Sequence, residues 1–576
     1  MRPATLLAAL GLTLLLPTIS QATPNTPPKP PAAAIASAHP LATQAGMDIL
    51  AQGGNAFDAA VAVAASLGVV EPYSAGIGGG GFWLIYQAEQ DRYRFIDARE
   101  MAPAAAHRDY YLDAQGQVDR DKAVNGPTAA AIPGQAAAFD HLATQYGKLP
   151  LATSLKAAIH QARRGFPVDA HYRKLMGFRH KAIQRYPESA RLFLDNNRIP
   201  ETGFIIRQPE LANTLTALAV QGRKGFYQGA TAKRLVNAVQ KHGGDWVLND
   251  LKNYRLVERQ PIRTTIQNGN TQHTLISAPP PSSGGVALGQ ILSMLSRYDW
   301  QSMDNVQQTH LISEIMRRAY HDRAKFLGDP DFVEVPVKKL LSSQHNQQWL
   351  KDLSLEQATP SLSLQGPKNL QEGFHTTHLS VLDQYGNMVS ATLSINLPFG
   401  SAFTAAGTGV LLNNEMDDFS AKPGSPNAYG LVGAEANAIA PGKRPLSSMS
   451  PSIVTNDEST AIIGTPGGSR IITMVALGIL EHLQGKPVGD WVSRSRFHHQ
   501  YLPDRIQHEP DTFSFMEKRT LQALGHELKS VGRRYGNMQA ILWNKKDHQV
   551  TAASDPRGIG SAQVTAHPTG NTTEKQ

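Results

Sequence analysis

Apolar and polar positions alternate most regularly in the stretch from His375 to Asn396, where two β-branched runs flank Asp383-Gln384-Tyr385-Gly386-Asn387. Alternation with period two indicates half-buried strands, and the Asp, Gly and Asn content between them indicates a tight turn, so the pattern predicts a β-hairpin. If Leu382 and Val389 face each other across the turn, Thr376 falls beside Ser394 and Ile395, with Asn396 one step beyond. One strand end would then collect hydroxyls and an amide. A Thr-rich edge hairpin, whose hydroxyls serve packing alone, satisfies the same pattern.

The pattern changes along the chain. Residues 53–67 read as a turn followed by a nearly all-apolar helix, which must be covered on most sides. Gly76-Ile77-Gly78-Gly79-Gly80-Gly81 leads into a strand at Phe82 to Tyr86, and a second strand runs from Tyr93 to Glu100. The glycines match neither a dinucleotide nor a phosphate-loop fingerprint, because they enter a strand and no Lys-Ser/Thr follows. Residues 151–163, 211–221, 232–241, 286–295, 306–327 and 471–483 carry helical spacing. Short strands are expected within 257–276, and at 410–412, 452–454, 460–463 and 538–543. Periodicity fades between Asn346 and Phe374, predicting an exposed, mobile segment and a domain boundary just before the hairpin. Residues 23–33 and those from Thr565 on read as flexible. No solenoid repeat or coiled coil is evident.

With 576 residues, 41% hydrophobic and 18% charged, the chain has a globular composition and can bury a large core. Its formal charge of +8 reflects 55 basic against 47 acidic residues, spread without a long basic block or a zinc-finger spacing, so it argues for some basic surface rather than nucleic-acid binding. Met1-Arg2-Pro3, an apolar run to Leu16 and Ser20-Gln21-Ala22 form a signal-peptide pattern with cleavage expected after Ala22. The run is too short for a stable membrane anchor, and the protein is expected in a periplasm or outside the cell. The absence of cysteine excludes disulfides, thiol chemistry and a lipoprotein linkage.

Candidate chemistry lies mostly after the hairpin. Glu415, Asp417 and Asp418 form an acidic loop that suits a surface cluster, a calcium ion or a substrate ammonium, since clustered carboxylates welcome a cation. Gly467-Gly468 before a helix exposes successive N–H groups to an anion or a developing oxyanion. Arg99 ends the second strand beside Asp97 and Glu100, its simplest partners in a surface ion pair. His498 and His499 are adjacent in a strand and point to opposite faces, which disfavours joint metal ligation. Without cysteine or a metal set, a hydrolase built on this hairpin would need a base for its hydroxyl. An α-amine freed by cutting the chain before Thr376 would have a reference pKa near 8 and sit on the same residue.

Thr376-Thr377-His378-Leu379-Ser380, Leu411 to Phe419, Arg444 to Pro451, Pro466-Gly467-Gly468-Ser469-Arg470 and Asp97 to Pro103 together resemble the γ-glutamyltranspeptidases, members of the N-terminal nucleophile hydrolase superfamily. The resemblance runs from about Ala34 to Gly558. It implies an α+β fold, a four-layer αββα sandwich with two central, mainly antiparallel sheets. It also implies a precursor that cuts itself between His375 and Thr376. The products would be a large subunit of residues 23–375, after loss of the 1–22 signal peptide, and a small catalytic subunit of 376–576, held together as a heterodimer. By the family pattern, Thr376 is the nucleophile, Ser394 orients its amine, and the N–H groups of Gly467 and Gly468 form the oxyanion hole. Arg99, Ser447 and Ser448 would hold the substrate α-carboxylate, while Asn396, Glu415 and Asp418 would receive the α-ammonium. Tyr429 would sit on a lid spanning about 426–441. The implied reaction moves a γ-glutamyl group from glutathione or a related donor to water, an amino acid or a dipeptide, without a cofactor or metal.

Two departures stand out. Ser394 occupies a position that is commonly Thr in the family, keeping the hydroxyl while losing a methyl, which predicts retained activity with slower maturation. Ala428 precedes Tyr429 in a loop of full length, which favours glutathione-sized substrates over polyglutamate. A cephalosporin or glutaryl acylase of the same superfamily and an unprocessed binding protein are the competing readings.

Overall fold

A computed structural model describes residues 29–364 and 376–565, except 423, 425, 426, 429, 430 and 432. His375, Tyr429, the 1–22 leader and nearly all of the tail lie outside the described residues. In chain order, the strands of the two main sheets are β1 (Ala34–Ser37), β2 (Gly80–Gln87), β3 (Arg92–Ala98), β4 (Val257–Arg259), β5 (Ile262–Asn268), β6 (Thr271–Ser277), β7 (Thr377–Leu382), β8 (Met388–Ser394), β9 (Ser452–Thr455), β10 (Ser459–Gly464), β11 (Gln539–Asn544), β12 (Gln549–Ser554) and β13 (Ser561–Val564). A seven-stranded sheet has the order β13-β1-β7-β8-β2-β3-β4, and a six-stranded sheet the order β12-β11-β10-β9-β6-β5. All neighbours in both are antiparallel.

Alternation along the strands assigns the layers. In the first sheet Trp83, Ile85, Ile96, Val381 and Val389 join a core with helices α1 (Ala56–Val70), α2 (Gln135–Gln145) and α3 (Leu151–Arg164). The opposite face carries Phe82, Leu84, Phe95 and Leu382 into a second core. That core also holds Leu275, Val454 and Ile541 of the six-stranded sheet, and residues of α4 (Gly284–Leu295), α5 (Asn305–Phe326) and α6 (Ile471–Leu483). The result is the expected four-layer αββα sandwich. α1 is buried at nearly every position, as its all-apolar sequence requires, and a capping box between Asn55 and Asp58 satisfies its first N–H groups.

The hairpin differs from expectation in two respects. Its register pairs Leu382 with Met388 and Val381 with Val389, one residue away from the Leu382–Val389 pairing. The reason is the turn, where Asp383 N–H bonds to Asn387 O and Asp383 Oδ1 accepts from both Tyr385 N (2.8 Å) and Asn387 N (2.9 Å), which closes the loop one residue shorter. Nor is the hairpin at an edge: β7 and β8 are the third and fourth strands of seven. Its hydroxyls therefore work between the sheets, with Ser380 Oγ donating to Gln539 O (3.1 Å) and Ser390 Oγ to Ile463 O (3.3 Å). His378 shares a bond with Thr392 Oγ1 (2.8 Å), and burial depresses its pKa to about 3, leaving a neutral ring. A Cβ on Gly464 would lie 2.2 Å from that ring, so only glycine lets the sheets approach here.

The segment expected to be mobile is ordered through residue 364. Helix Ser343–Lys351 crosses its start, and the chain beyond is tied to α5: Arg318 Nη2 donates to Thr359 Oγ1 (3.1 Å), and Thr359 N to Glu314 Oε1 (3.1 Å). Its polar residues satisfy the buried Glu314–Arg317–Arg318 cluster, so a composition that reads as solvated is consumed by internal bonds. No domain boundary falls there, since both sheets mix strands from before and after the segment. The buried strand expected at 410–412 is only Val410–Leu411, paired with Thr404–Ala405.

Asp383 also links the hairpin to α1, its Oδ2 accepting from Ala56 N (2.8 Å) at the helix start. Replacing Asp383 with Ala removes these bonds and leaves buried N–H groups unpaired. It is expected to lower stability by about 2–3 kcal/mol, read as a lower urea midpoint at unchanged m-value, with Asp383→Asn losing less.

Candidate active site

Thr376 is buried one residue before β7, and continuing the Thr377–Leu393 pair sets it beside Ser394, the last residue of β8. It borders a pocket that also meets Arg99, Ser394, Asn396, Asp418, Ser447, Ser448 and Gly468. Residues from five other stretches of sequence thus share one pocket with Thr376. Glu415 stands behind Arg99 rather than on the pocket wall, and Gly467 lies on the other side of Thr376.

Arg99 is buried rather than at the surface, and of its two neighbouring acids only Glu100 stays within ion-pair distance. Its side chain is 1% exposed, donating to Glu415 Oε2 (2.7 Å), Asp418 Oδ2 (2.5 Å) and Pro445 O (3.2 Å), with Glu100 at 3.7 Å; Asp97 instead pairs with Arg259 (2.7 Å). The β3 strand leads Arg99 into the interior, where carboxylates from a distant loop, with the adjacent Glu100, neutralise it. Burial disfavours the charge, but Glu415 and Asp418 more than offset this and hold the guanidinium protonated. Burial pushes the Glu415 carboxyl up against the pull of Arg99, while Ser394 hydrogen-bonds to it. Glu100 and Asp417 are each raised to about 7, chiefly by burial. Asp417 accepts from Ala428 N (2.9 Å) and Asp418 from Asn427 Nδ2 (3.2 Å), tying the acidic turn to the loop that contains Tyr429.

The remaining residues are fixed by backbone geometry. Asn396 adopts φ 71°, its N–H donating to Ser394 Oγ (2.8 Å) and its Nδ2 to Asn414 O (2.8 Å), so the chain reverses just past the hairpin. Gly467 has φ 146° and Gly468 φ 58°, and a Cβ on Gly467 would lie 2.4 Å from Met474 Cε. These conformations lead directly into α6 and turn the Gly-Gly amides away from strand pairing. Ser447 is braced by the Pro279–Gly285 loop, its carbonyl accepting from Ser283 N (2.8 Å) and Ser283 Oγ (2.7 Å).

Two groups escaped the sequence reading. Arg323, on the last turn of α5, is buried against the pocket, donating to Ser283 Oγ (3.0 Å) and Ser448 Oγ (3.2 Å), with no carboxylate in contact among the described residues. Burial lowers its pKa. It holds Ser448 from behind and supplies a second cation to the pocket. Its position within a long helical pattern concealed it. Glu71, just past α1, accepts from Thr377 Oγ1 (2.9 Å), the residue after Thr376. A lone carboxylate ending an apolar helix was the available signal.

The fold and this cluster define an N-terminal nucleophile hydrolase. The Gamma-glutamyltranspeptidase family model matches residues 42–565. The glutathione hydrolase proenzyme of Escherichia coli K12 is 39% identical over 535 residues, covering 91% of this chain and 90% of that protein. A protein of the same description from Pseudomonas aeruginosa is 39% identical over 542 residues, 92% and 94% of the two chains. A cephalosporin acylase from Bacillus halodurans superposes with TM-score 0.81 at 26% identity, covering 96% of this chain and 99% of that one. Helicobacter pylori γ-glutamyltranspeptidase does so with TM-score 0.54 at 34% identity, covering 56% and 92%. The chain belongs to the γ-glutamyltranspeptidase family of enzymes.

Burial raises the Glu71 carboxyl from 4.5 to about 7, with the Thr377 and Tyr73 hydroxyls opposing. The folded state therefore holds a proton that the unfolded chain releases, and this contribution to stability, complete below about pH 4.5, is lost as pH rises through about 7. Glu71→Gln should flatten the stability profile across that window, by on the order of 1–3 kcal/mol, measured by urea unfolding at a series of pH values.

Proposed function

We propose that the protein is a self-processing γ-glutamyl hydrolase and transferase with Thr376 as nucleophile. The observation that carries this reading is the convergence of Thr376, Ser394, Arg99, Asp418 and Gly468 on one pocket in a chain of this family. In the precursor, Thr376 Oγ attacks the His375 carbonyl, and the amide becomes an ester by N-to-O shift. Water opens the ester, leaving a carboxylate on His375 and a free amine on Thr376. The large subunit is then 23–375 and the small one 376–576, with 1–22 a signal peptide and the mature enzyme in a periplasm or secreted.

In turnover the Thr376 amine, oriented by Ser394, takes the Oγ proton as Oγ attacks the γ-carbonyl of the donor. The Gly467 and Gly468 N–H groups receive the negative charge that develops on the carbonyl oxygen. The leaving amine departs with the proton, and the γ-glutamyl ester passes to water or to an amino-acid or peptide amine. Arg99 with Ser447 and Ser448 binds the donor α-carboxylate, and Asp418, Glu415 and Asn396 bind its α-ammonium. Arg99, Glu415 and Asp418 are bonded to one another in the free site, so a zwitterion exchanges one set of opposite charges for another without leaving a buried charge unpaired. The lid role that the family pattern gives Tyr429 is supported by its described neighbours, Asn427 and Ala428, which bond to the acidic turn. Glutathione and related γ-glutamyl compounds are the donors this reading expects.

Thr376→Ala should abolish both chain cleavage and turnover; two chains on intact-mass analysis of that variant would refute the assignment. Asp418→Ala should mature normally yet lower kcat/KM on γ-glutamyl anilides by on the order of 10²-fold or more. Comparable rates on glutaryl and γ-glutamyl anilides would instead favour an acylase.

A further inference from the structure

The stretch of chain that precedes the cleavage site is gripped from several sides before Leu364. Ser354 O shares a hydrogen bond with His310 Nε2 (2.8 Å), and Ala358 N donates to Leu524 O (2.7 Å). Thr359 bonds through its N–H to Glu314 and through its hydroxyl to Arg318, and Ser361 N donates to Asp504 Oδ2 (2.7 Å). Arg317 completes the grip: its Nη1 donates to Ser361 Oγ (2.5 Å) and to Asp504 Oδ1, while its Nε pairs with Glu314 (3.2 Å). We propose that this clamp, centred on Arg317, Ser361 and Asp504, positions the His375–Thr376 bond for self-cleavage and takes no part in turnover. The inference rests on the reading of Thr376 as a self-processing nucleophile.

Placement is the first support. The clamp joins this stretch to α5, which precedes the cut, and to Asp504 and Leu524, which follow it. On the far side of the cut, Thr377 is fixed by its pairing with Leu393 and its bond to Glu71. The scissile bond therefore lies between two points that are both held by the folded body. Cleavage requires Thr376 Oγ to meet the preceding carbonyl carbon at about 3–3.5 Å and in line. The new C–O bond forms as the C–N bond breaks, and the nitrogen takes the Oγ proton. Closure entropy alone makes a small contribution: moving the fixed point from Ser361 back to the end of helix Ser343–Lys351 would slow the step only about twofold. Orientation of the carbonyl is thus the larger effect expected. Ser361, Glu314, Arg317 and Arg318 are each at most 1% exposed, so water does not replace a bond lost among them. None of the clamp residues lines either cavity that Thr376 borders, which separates them from donor binding and from the reacting atoms of turnover. They are positioning residues.

The test follows conversion of purified precursor into two chains by intact mass, after brief expression in the cold. Thr359→Val keeps the side-chain shape without the hydroxyl. Ser361→Pro removes both the N–H and the hydroxyl at the first position of the 361–364 helical turn, where proline is tolerated. The double variant should lengthen the half-time of cleavage about tenfold, while kcat and KM on γ-glutamyl-4-nitroanilide, per fully cut enzyme, stay within about 1.5-fold of wild type. Ser361→Thr keeps both bonds and should cut at the wild-type rate. A half-time within about twofold of wild type, or a fall in kcat that matches the slower cut, overturns the proposal. Should the double variant fold poorly, Thr359→Val alone decides: slower cutting at unchanged kcat supports the clamp, and an unchanged rate overturns it. Wild type that never yields two chains would instead overturn the reading of Thr376.

Discussion

The pairing of β7 between β1 and β8 is the constraint from which the site follows. β1 comes from the start of the described chain, and β2, which holds the other side of the hairpin, precedes Thr376 by some three hundred residues. A break before Thr376 therefore leaves every strand beside it in place. The strand that starts at Thr377 is paired with β1 on one side and β8 on the other, and the buried hydroxyls of Ser380 and Ser390 tie the hairpin to the second sheet. This arrangement allows a chain to be cut at its centre and remain one folded body.

The second organising element is the buried charge around Arg99. A lone guanidinium at this depth would be costly, and Glu415, Asp418 and Glu100 surround it. The acidic turn thereby becomes part of the interior, and its neighbours Asn427 and Ala428 fasten a surface loop to the same turn. Charge balance, loop position and pocket shape are therefore coupled. Arg323 adds a cation braced only by hydroxyls, which makes the pocket asymmetric in charge.

Much of the fold was legible in the sequence because it rests on short-range pattern. The all-apolar run beginning at Ala56 had to be a covered helix, and α6 falls at the residues its spacing indicated. What misled was polarity whose partners are remote. The residues after Asn346 look solvated until Glu314 and Arg318 are seen to bind them. The hairpin register turned on Asp383, whose carboxylate folds the loop one residue tighter than strand alternation suggests. Arg99 looked like a surface ion pair because its adjacent acids, Asp97 and Glu100, are visible in sequence, whereas the two carboxylates it hydrogen-bonds lie more than three hundred residues away.

From the sequence alone came the strand and helix pattern, the absence of thiol chemistry, and the motifs that pick out Thr376, Arg99, the acidic turn and the Gly-Gly pair. The pattern depends on residue type and on spacing within one element, whereas the site residues were picked out by their resemblance to the family's motifs. The tertiary structure decided that the hairpin is central, that Arg99 is buried against Glu415 and Asp418, and that Arg323 and Glu71 each share a cavity with Thr376. Each of those facts depends on which distant segments the two sheets bring together, and no local periodicity encodes that.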